Sequence, residues 1–265
     1  MTRNAALITG ASAGIGREFA LALAQRGHDL VLTARRRERL DALAAEIEGK
    51  FKVRVTVIVA DLASPSAPAA IVAAIAEQGI EVDWLINNAG YGVPGSLLSH
   101  DWQTHQDFMQ VLVNAPIELC WRLLPMMRER QRGTIINVAS LAAFMPGSAG
   151  HTLYGAAKAF LLRFSQSLAL ENEAAGIKVS ALCPGFTYSE FHDVTGTRKL
   201  VSQLPGWMWM SAEDVVAEGI AAAEAGRAVQ VSGRANRMIK AIVEVVPQRL
   251  ANALMRRQSK RFREA

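Results

Sequence analysis

The sequence predicts an α/β chain: one doubly wound, mostly parallel sheet of about seven strands with helices on both faces. Three observations carry this. Short β-branched or apolar runs alternate with longer helical patterns from one end to the other. A glycine-rich turn joins the first strand to the first helix. The residues best suited to chemistry, Gly10, Arg35, Asp61, Asn88, Ser140 and Pro184, fall at the carboxyl ends of predicted strands, where open parallel sheets bind ligands.

The elements follow in order. Ala5–Thr9 reads as a strand and Ile15–Arg26 as a helix with Phe19, Ala20 and Leu23 on one side. Asp29–Thr33 is a second strand, and Arg36–Glu48 a charged amphipathic helix. Val53–Ala60 is a third strand, followed by an Ala-rich helix from about Ser66 to Gln78. A fourth strand ends at Trp84–Asn87. A helical region covers roughly Asp101–Arg130. A bend at Pro116 and a stop near Pro125 are expected, because proline lacks the N–H and crowds the preceding turn. Thr134–Ala139 is the fifth strand, Thr152–Ala175 a helix, Lys178–Leu182 the sixth strand and Ala228–Val231 the seventh. No Gly/Ser linker, repeat or low-complexity segment divides the chain, so residues 1–265 are read as one domain.

Composition agrees. A chain of 265 residues, 51% apolar, is ordinary for one large α/β unit. Cys120 and Cys183 show neither CxxC nor Cys/His metal spacing, so two packed, reduced thiols and no metal are expected. Met1-Thr2-Arg3-Asn4 runs into the first strand without an apolar signal region, and no run approaches the ~18 apolar residues a membrane span needs. A cytoplasmic location is therefore expected. The net charge of +5 is concentrated in residues 249–265, which hold Arg249, Arg256, Arg257, Lys260, Arg261, Arg263 and the single acid Glu264. The remainder carries 23 basic and 23 acidic residues. This basic tail reads as a solvated C-terminal helix, with weak contact to an anionic membrane surface as the alternative. No nucleic-acid partner is expected, since no aromatic stripe or binding motif accompanies the charge.

Thr9-Gly10-Ala11-Ser12-Ala13-Gly14-Ile15-Gly16 follows the first strand and opens the first helix. Glycines permit a tight turn and close approach of backbone to a diphosphate, and the helix N-terminus offers N–H groups to phosphate. Gly10, Ser12, Gly14, Ile15 and Gly16 are thus candidate dinucleotide-binding residues, in a Rossmann-type fold. An NAD site generally places Asp or Glu at the end of the second strand to bond the ribose 2′-hydroxyl. Here the chain reads Thr33-Ala34-Arg35-Arg36-Arg37. Guanidinium groups pair with phosphate through two hydrogen bonds. The inferred cofactor is NADP(H), with Arg35 the leading 2′-phosphate ligand, Arg36 second and Ser12 a helper. Cations at a helix N-terminus oppose its dipole, a penalty a bound phosphate would remove.

Tyr154 and Lys158 stand four residues apart, just over one helical turn, and share a face. A phenol titrates near pH ~10. A neighbouring ammonium favours phenolate and is expected to lower that value, suiting Tyr154 to proton transfer near neutrality. A solvated surface pair is the alternative reading.

With these residues in hand, the chain resembles the short-chain dehydrogenase/reductase family. Five segments match in order: Thr9–Gly16, Asn87-Asn88-Ala89-Gly90, Asn114, Ser140 with Tyr154 and Lys158, and Pro184-Gly185. The Ala34-Arg35-Arg36 and Asn137-Val138-Ala139-Ser140 runs look most like the NADP-dependent branch. The resemblance implies that Tyr154 is the acid/base, that Lys158 holds the nicotinamide ribose, that Ser140 bonds the substrate oxygen, and that Asn114 positions a water as a proton relay. It implies that Asn88, Ala89 and Gly90 line the adenosine-side ribose, and that Asp61 and Leu62 hold the adenine. Pro184, Gly185 and Thr187 would shape the nicotinamide pocket, with Ser189 where the family usually has a threonine hydroxyl on the carboxamide. Ser140 precedes Tyr154 by 14 residues, one more than the family usually shows, and the loop Pro146-Gly147-Ser148-Ala149-Gly150 is read as absorbing the extra residue.

Residues 188–212 interrupt the strand–helix rhythm and resemble the family's substrate lid. Phe191, Leu204, Trp207, Met208, Trp209 and Met210 would either wall an apolar pocket or pack the lid down. His151, His192 and Tyr91 are read as bystanders. A homodimer or homotetramer through the helices near 101–130 and 152–175 is implied by the resemblance, with Trp102, Trp121 and Phe164 serving such contacts or filling the core. The expected activity is NADP(H)-dependent interconversion of an apolar carbonyl and an alcohol. The alternatives are a non-catalytic dinucleotide sensor or scaffold on the same fold, and an NAD-preferring dehydrogenase.

Overall fold

The computed structural model describes residues 4–191, 205–247 and 250. Its main strands are β1 (Asn4–Thr9), β2 (Asp29–Ala34), β3 (Val55–Val59), β4 (Glu81–Asn87), β5 (Gly133–Val138) and β6 (Ile177–Cys183). Two short strands follow, β7 (Phe186–Thr187) and β8 (Trp209–Met210), and then β9 (Val229–Val231). The helices are α1 (Gly14–Gln25), α2 (Arg37–Phe51), α3 (Ala67–Glu77), α4 (Trp102–Met109), α5 (Ala115–Glu129), α6 (Thr152–Asn172), α7 (Ala212–Glu224) and α8 (Arg234–Val245). Seven strands form a wholly parallel sheet in the order β3-β2-β1-β4-β5-β6-β9. The chain starts at β1 in the middle, winds out to β3, then returns to β4 on the other side. The strand order therefore reverses between β1 and β4, and a crevice opens there at the strands' carboxyl ends.

Both faces of the sheet are covered, and the two-residue side-chain period sorts the core accordingly. Ala6, Ile8, Leu30, Leu32, Ile136 and Val138 pack with Phe19 and Leu23 of α1, Leu40 and Ile47 of α2, and Val215 and Ile220 of α7. Their neighbours in sequence, Leu7, Val31 and Ile135, face the opposite way, onto Ile71 of α3, Phe108 of α4, Leu119 and Leu123 of α5 and Leu168 of α6. The apolar runs that mark these strands are continuous because neither face meets water.

The predicted strands and helices stand within a few residues of their expected bounds, with one substantive correction. The region expected as a helix ending near Pro125 is two helices joined by a π turn, Gln110–Asn114, and α5 runs past Pro125 to Glu129. Leu119, Leu123 and Met127 bury one face of α5. Pro125 and Trp121 lie on the exposed side, where water can take the carbonyl that proline leaves unbonded. Pro116 falls in the first turn of α5, directly after the π turn. The short parallel pair β7–β8 and helix α8 are not foreseen from the sequence pattern. His192, Leu204 and the basic tail 249–265, apart from Leu250, lie outside the described residues.

Candidate active site

The crevice at the strand ends is a single cleft of about 1160 Å³. Every predicted site residue lines it except Gly16 and Asn114. The glycine turn forms one wall. Gly10 and Gly14 adopt φ of +66° and +53°, the left-handed region that other residues enter at a cost. A Cβ on Gly16 would fall 2.3 Å from the Gly10 carbonyl oxygen and 2.5 Å from Asn88 Nδ2, so Gly16 serves the site from behind by letting α1 close onto the turn. Asn88 fixes the turn to the sheet: its Nδ2 donates to the carbonyls of Thr9 (2.9 Å) and Gly10 (3.2 Å). Thr9 Oγ1 accepts from the backbone N–H of Asn88 and of Ala89, both at 3.0 Å. Helix α1 begins after Ala13, an N-cap residue that offers no side-chain hydrogen bond, and has no acid in its first turn. Its leading N–H groups are therefore offered to a ligand.

Arg35 and Arg36 leave the end of β2 and line the same cleft, exposed. Arg36 Nε (3.3 Å) and Nη2 (2.9 Å) both donate to Ser12 Oγ. The helper predicted for the 2′-phosphate site is thus joined to the second arginine. No acid stands at the end of β2 itself, where an NAD site generally places one. A dinucleotide phosphate fits this donor set: uncapped helix N–H groups, glycines whose absent side chains leave the backbone accessible, and paired guanidinium groups.

At the far end, Ser140 caps the short 3-10 turn Leu141–Phe144, its Oγ accepting from Ala142 N at 3.1 Å. The side chains of Ser140 and Tyr154 are hydrogen-bonded. The turn is held to the end of β6 by Leu141 N donating to Pro184 O at 2.8 Å. Lys158 follows on α6, only 5% exposed, with Nζ donating to Val138 O at 2.7 Å and lying 5.8 Å from the centre of the Tyr154 ring. Gly95 N donates to Gly150 O at 2.8 Å and holds the end of the loop 146–150 in place.

The electrostatics correct one expectation. The phenol of Tyr154 titrates above its ordinary value, because burial outweighs the Ser140 hydrogen bond that pulls it down. The ammonium of Lys158 does not set it. Burial also pushes Lys158 down to about 8, and its Nζ is turned to a backbone carbonyl. Tyr154 is accordingly a protonated donor at neutral pH in the protein alone.

Asn114 ends the π turn, is exposed, and donates through Nδ2 to Gln110 Oε1 at 3.0 Å. Its side chain does not line the cleft, although Val111 of the same turn does. His151 and Tyr91, read as bystanders, do line the cleft; Tyr91 packs edge-on to Phe108 at 5.6 Å. Of the expected lid residues, Phe191 and Met208 line the cleft, Phe191 lying 5.9 Å from Tyr154. Trp209 stacks on Tyr188 at 4.9 Å instead, and Trp207 is exposed.

Sequence reasoning missed a buried polar chain. Asn87 Nδ2 donates to Asn137 Oδ1 (2.8 Å), Asn137 Nδ2 to Ser165 Oγ (2.9 Å), and Ser165 to Leu161 O (2.7 Å). It ties β4, β5 and α6 together beneath the reacting groups. It also missed Asn236, whose amide sits where a Cβ on Gly185 would collide at 2.5 Å. Polar residues inside apolar strands, as at Asn87 and Asn137, were the available signal. Among the described residues no cluster of His, Cys, Asp or Glu could hold a metal ion, both cysteines are free and buried, and no helix is long and apolar enough to cross a membrane.

The short chain dehydrogenase family model matches residues 4–199. Sulfoacetaldehyde reductase of Chromohalobacter salexigens is 37% identical over 216 residues, 78% of this chain and 83% of that protein. A short-chain dehydrogenase from Sphingobium yanoikuyae, solved in complex with NADPH, superposes with a TM-score of 0.80 at 31% identity, covering 93% of this chain and 96% of that one. A bulky-bulky ketone specific alcohol dehydrogenase from Comamonas testosteroni superposes with a TM-score of 0.76 at 31% identity, over 93% and 95%.

Proposed function

The chain belongs to the short-chain dehydrogenase family, and from that premise we propose that it is an NADP(H)-dependent oxidoreductase interconverting a carbonyl and an alcohol. The reading rests on one arrangement: a serine bonded to a tyrosine, with a buried lysine one turn on, in the cleft that the glycine turn also lines. The solved complex of a similar chain with NADPH supports the cofactor, as do the arginines that replace an acid after β2.

Gly10, Ser12, Gly14, Ile15 and the N-terminus of α1 would hold the diphosphate, and Arg35 and Arg36 the 2′-phosphate. Asp61 and Leu62 would flank the adenine, Asn88, Ala89 and Gly90 its ribose, and Pro184, Gly185, Thr187 and Ser189 the nicotinamide. When bound, NADPH supplies the hydride that the protein lacks. The rest of the chemistry falls to the chain's own residues. Ser140 donates to the carbonyl oxygen of the substrate and stabilises the negative charge that grows there. Tyr154, protonated at neutral pH, delivers its proton to that oxygen. Lys158 holds the ribose and supplies positive charge beside the phenol once partners share its burial. The relay assigned to Asn114 belongs, in this reading, to the backbone of the π turn, since its side chain is committed to Gln110. Phe191, Met208 and Ile239 give the cleft an apolar wall suited to a hydrophobic ketone or aldehyde.

The chain also carries exposed Trp102, Trp121 and Leu170 on α4, α5 and α6. We infer a homo-oligomer through that face, to be read from light scattering behind a sizing column. We further propose residues 188–212, of which 192–204 lie outside the described residues, as a substrate lid within one domain. The deciding experiment is a panel of ketones, aldehydes and acyl derivatives followed by NADPH absorbance, with Tyr154→Phe alongside. That variant should lose turnover by at least about a thousandfold while binding NADPH as before. Undiminished turnover would reject the mechanism, and a wild-type protein that binds NADPH but turns over nothing would favour a sensor.

A further inference from the structure

Glu190 stands at the head of the segment after β7, across the cleft mouth from α2. Its carboxylate accepts from Arg36 Nη1 at 3.1 Å and, through both oxygens, from Arg39 Nη1 at 2.7 Å. Arg36 is the same guanidinium that grips Ser12 through its other nitrogens. The preceding residue lies directly on the glycine turn, for a Cβ on Gly14 would meet Ser189 Cβ at 3.0 Å. Arg36, Arg37 and Arg39 at the start of α2 oppose its dipole, and Glu38 in the first turn is joined in offsetting them by a carboxylate from 154 residues away.

We propose that Glu190 is a specificity-setting residue: an internal anion that occupies Arg36 of the 2′-phosphate subsite, together with the neighbouring Arg39, until the 2′-phosphate of NADP(H) displaces it. This rests on the NADP(H) reading above. The chemistry favours exchange. The side chains of Glu190, Arg36 and Arg39 are 44%, 42% and 47% exposed, and ion pairs at such surfaces hold weakly. A phosphate monoester brings up to two negative charges and three acceptor oxygens against one charge and two oxygens. If the carboxylate stayed, like-charge repulsion would oppose the phosphate. A ribose 2′-hydroxyl carries no charge and has no comparable power to evict it.

The test uses 2′,5′-ADP and 5′-AMP as probes, titrated by calorimetry at low ionic strength into wild type and Glu190→Gln. Wild type should bind 2′,5′-ADP more tightly than 5′-AMP. The variant should bind 2′,5′-ADP tighter still, by about threefold or more, with the gain shrinking as salt is raised. Its affinity for 5′-AMP should be unchanged. If wild type fails to prefer 2′,5′-ADP, the 2′-phosphate reading and this proposal fall together. If wild type prefers it but Glu190→Gln binds it equally or more weakly, Glu190 only braces the arginines and this proposal alone is overturned.

Discussion

Replacing Lys158 by methionine should stabilise the cofactor-free protein while destroying its activity. The ammonium is 5% exposed, and burial lowers it from 10.5 to about 8. At about 1.4 kcal/mol per pH unit, that gap places roughly 3 kcal/mol of desolvation against the folded state at neutral pH. Methionine fills similar space without the charge, but it forfeits the bond to Val138 O, a loss of about 1 kcal/mol. The net gain is about 2 kcal/mol at pH 7, a rise in Tm of roughly 4–8 °C. The pH dependence carries the sign. Between about 8 and 10.5 the unfolded lysine binds a proton that the folded one has lost, so wild-type stability rises with pH across that window. The advantage of the variant should therefore be full below pH 8 and shrink toward pH 10.5. Urea unfolding at pH 7, 9 and 10 measures it directly. A less stable variant at pH 7, or an advantage that does not narrow with pH, would refute the reasoning.

Arg35→Ala should raise the Kd for NADPH about 10- to 100-fold, the loss of one charge-assisted pairing, and leave NADH within about twofold; equal losses for both would remove Arg35 from the 2′-phosphate. Ser140→Ala should cut kcat by roughly a hundredfold or more. It should also move the basic limb of the reductive pH profile upward, since the phenol loses the bond that holds it down; a downward move would contradict the assignment. Gly16→Ala forces a Cβ onto the Gly10 carbonyl and Asn88 and should cost about 2–3 kcal/mol with loss of dinucleotide binding. Gly49→Ala, in α2 with nothing within 4 Å of its added Cβ, should instead gain about 0.5–1 kcal/mol. Thermal melts of the pair test whether contact, rather than glycine content, decides.

Much of the site was legible because its signals are local. A glycine turn between strand and helix, arginines where an acid would select NAD, and a tyrosine and lysine one turn apart each follow from spacing along the chain. Boundaries erred where tertiary packing overrode propensity, as at Pro125, which continues a helix because the opposite face of that helix is buried. The expected lowering of the Tyr154 phenol failed for a related reason. Sequence places the ammonium nearby, but it does not reveal that both groups are buried and that Nζ is bonded to Val138.

Order along the chain alone determined the alternating elements, the parallel sheet and the candidate site residues, because hydrophobic period and residue spacing are written in consecutive positions. Only the tertiary structure decided the protonation states, the Asn87–Asn137–Ser165 chain and the clasp between Glu190 and Arg36. These depend on burial and on distances between residues far apart in sequence, and desolvation acts through space rather than along the backbone.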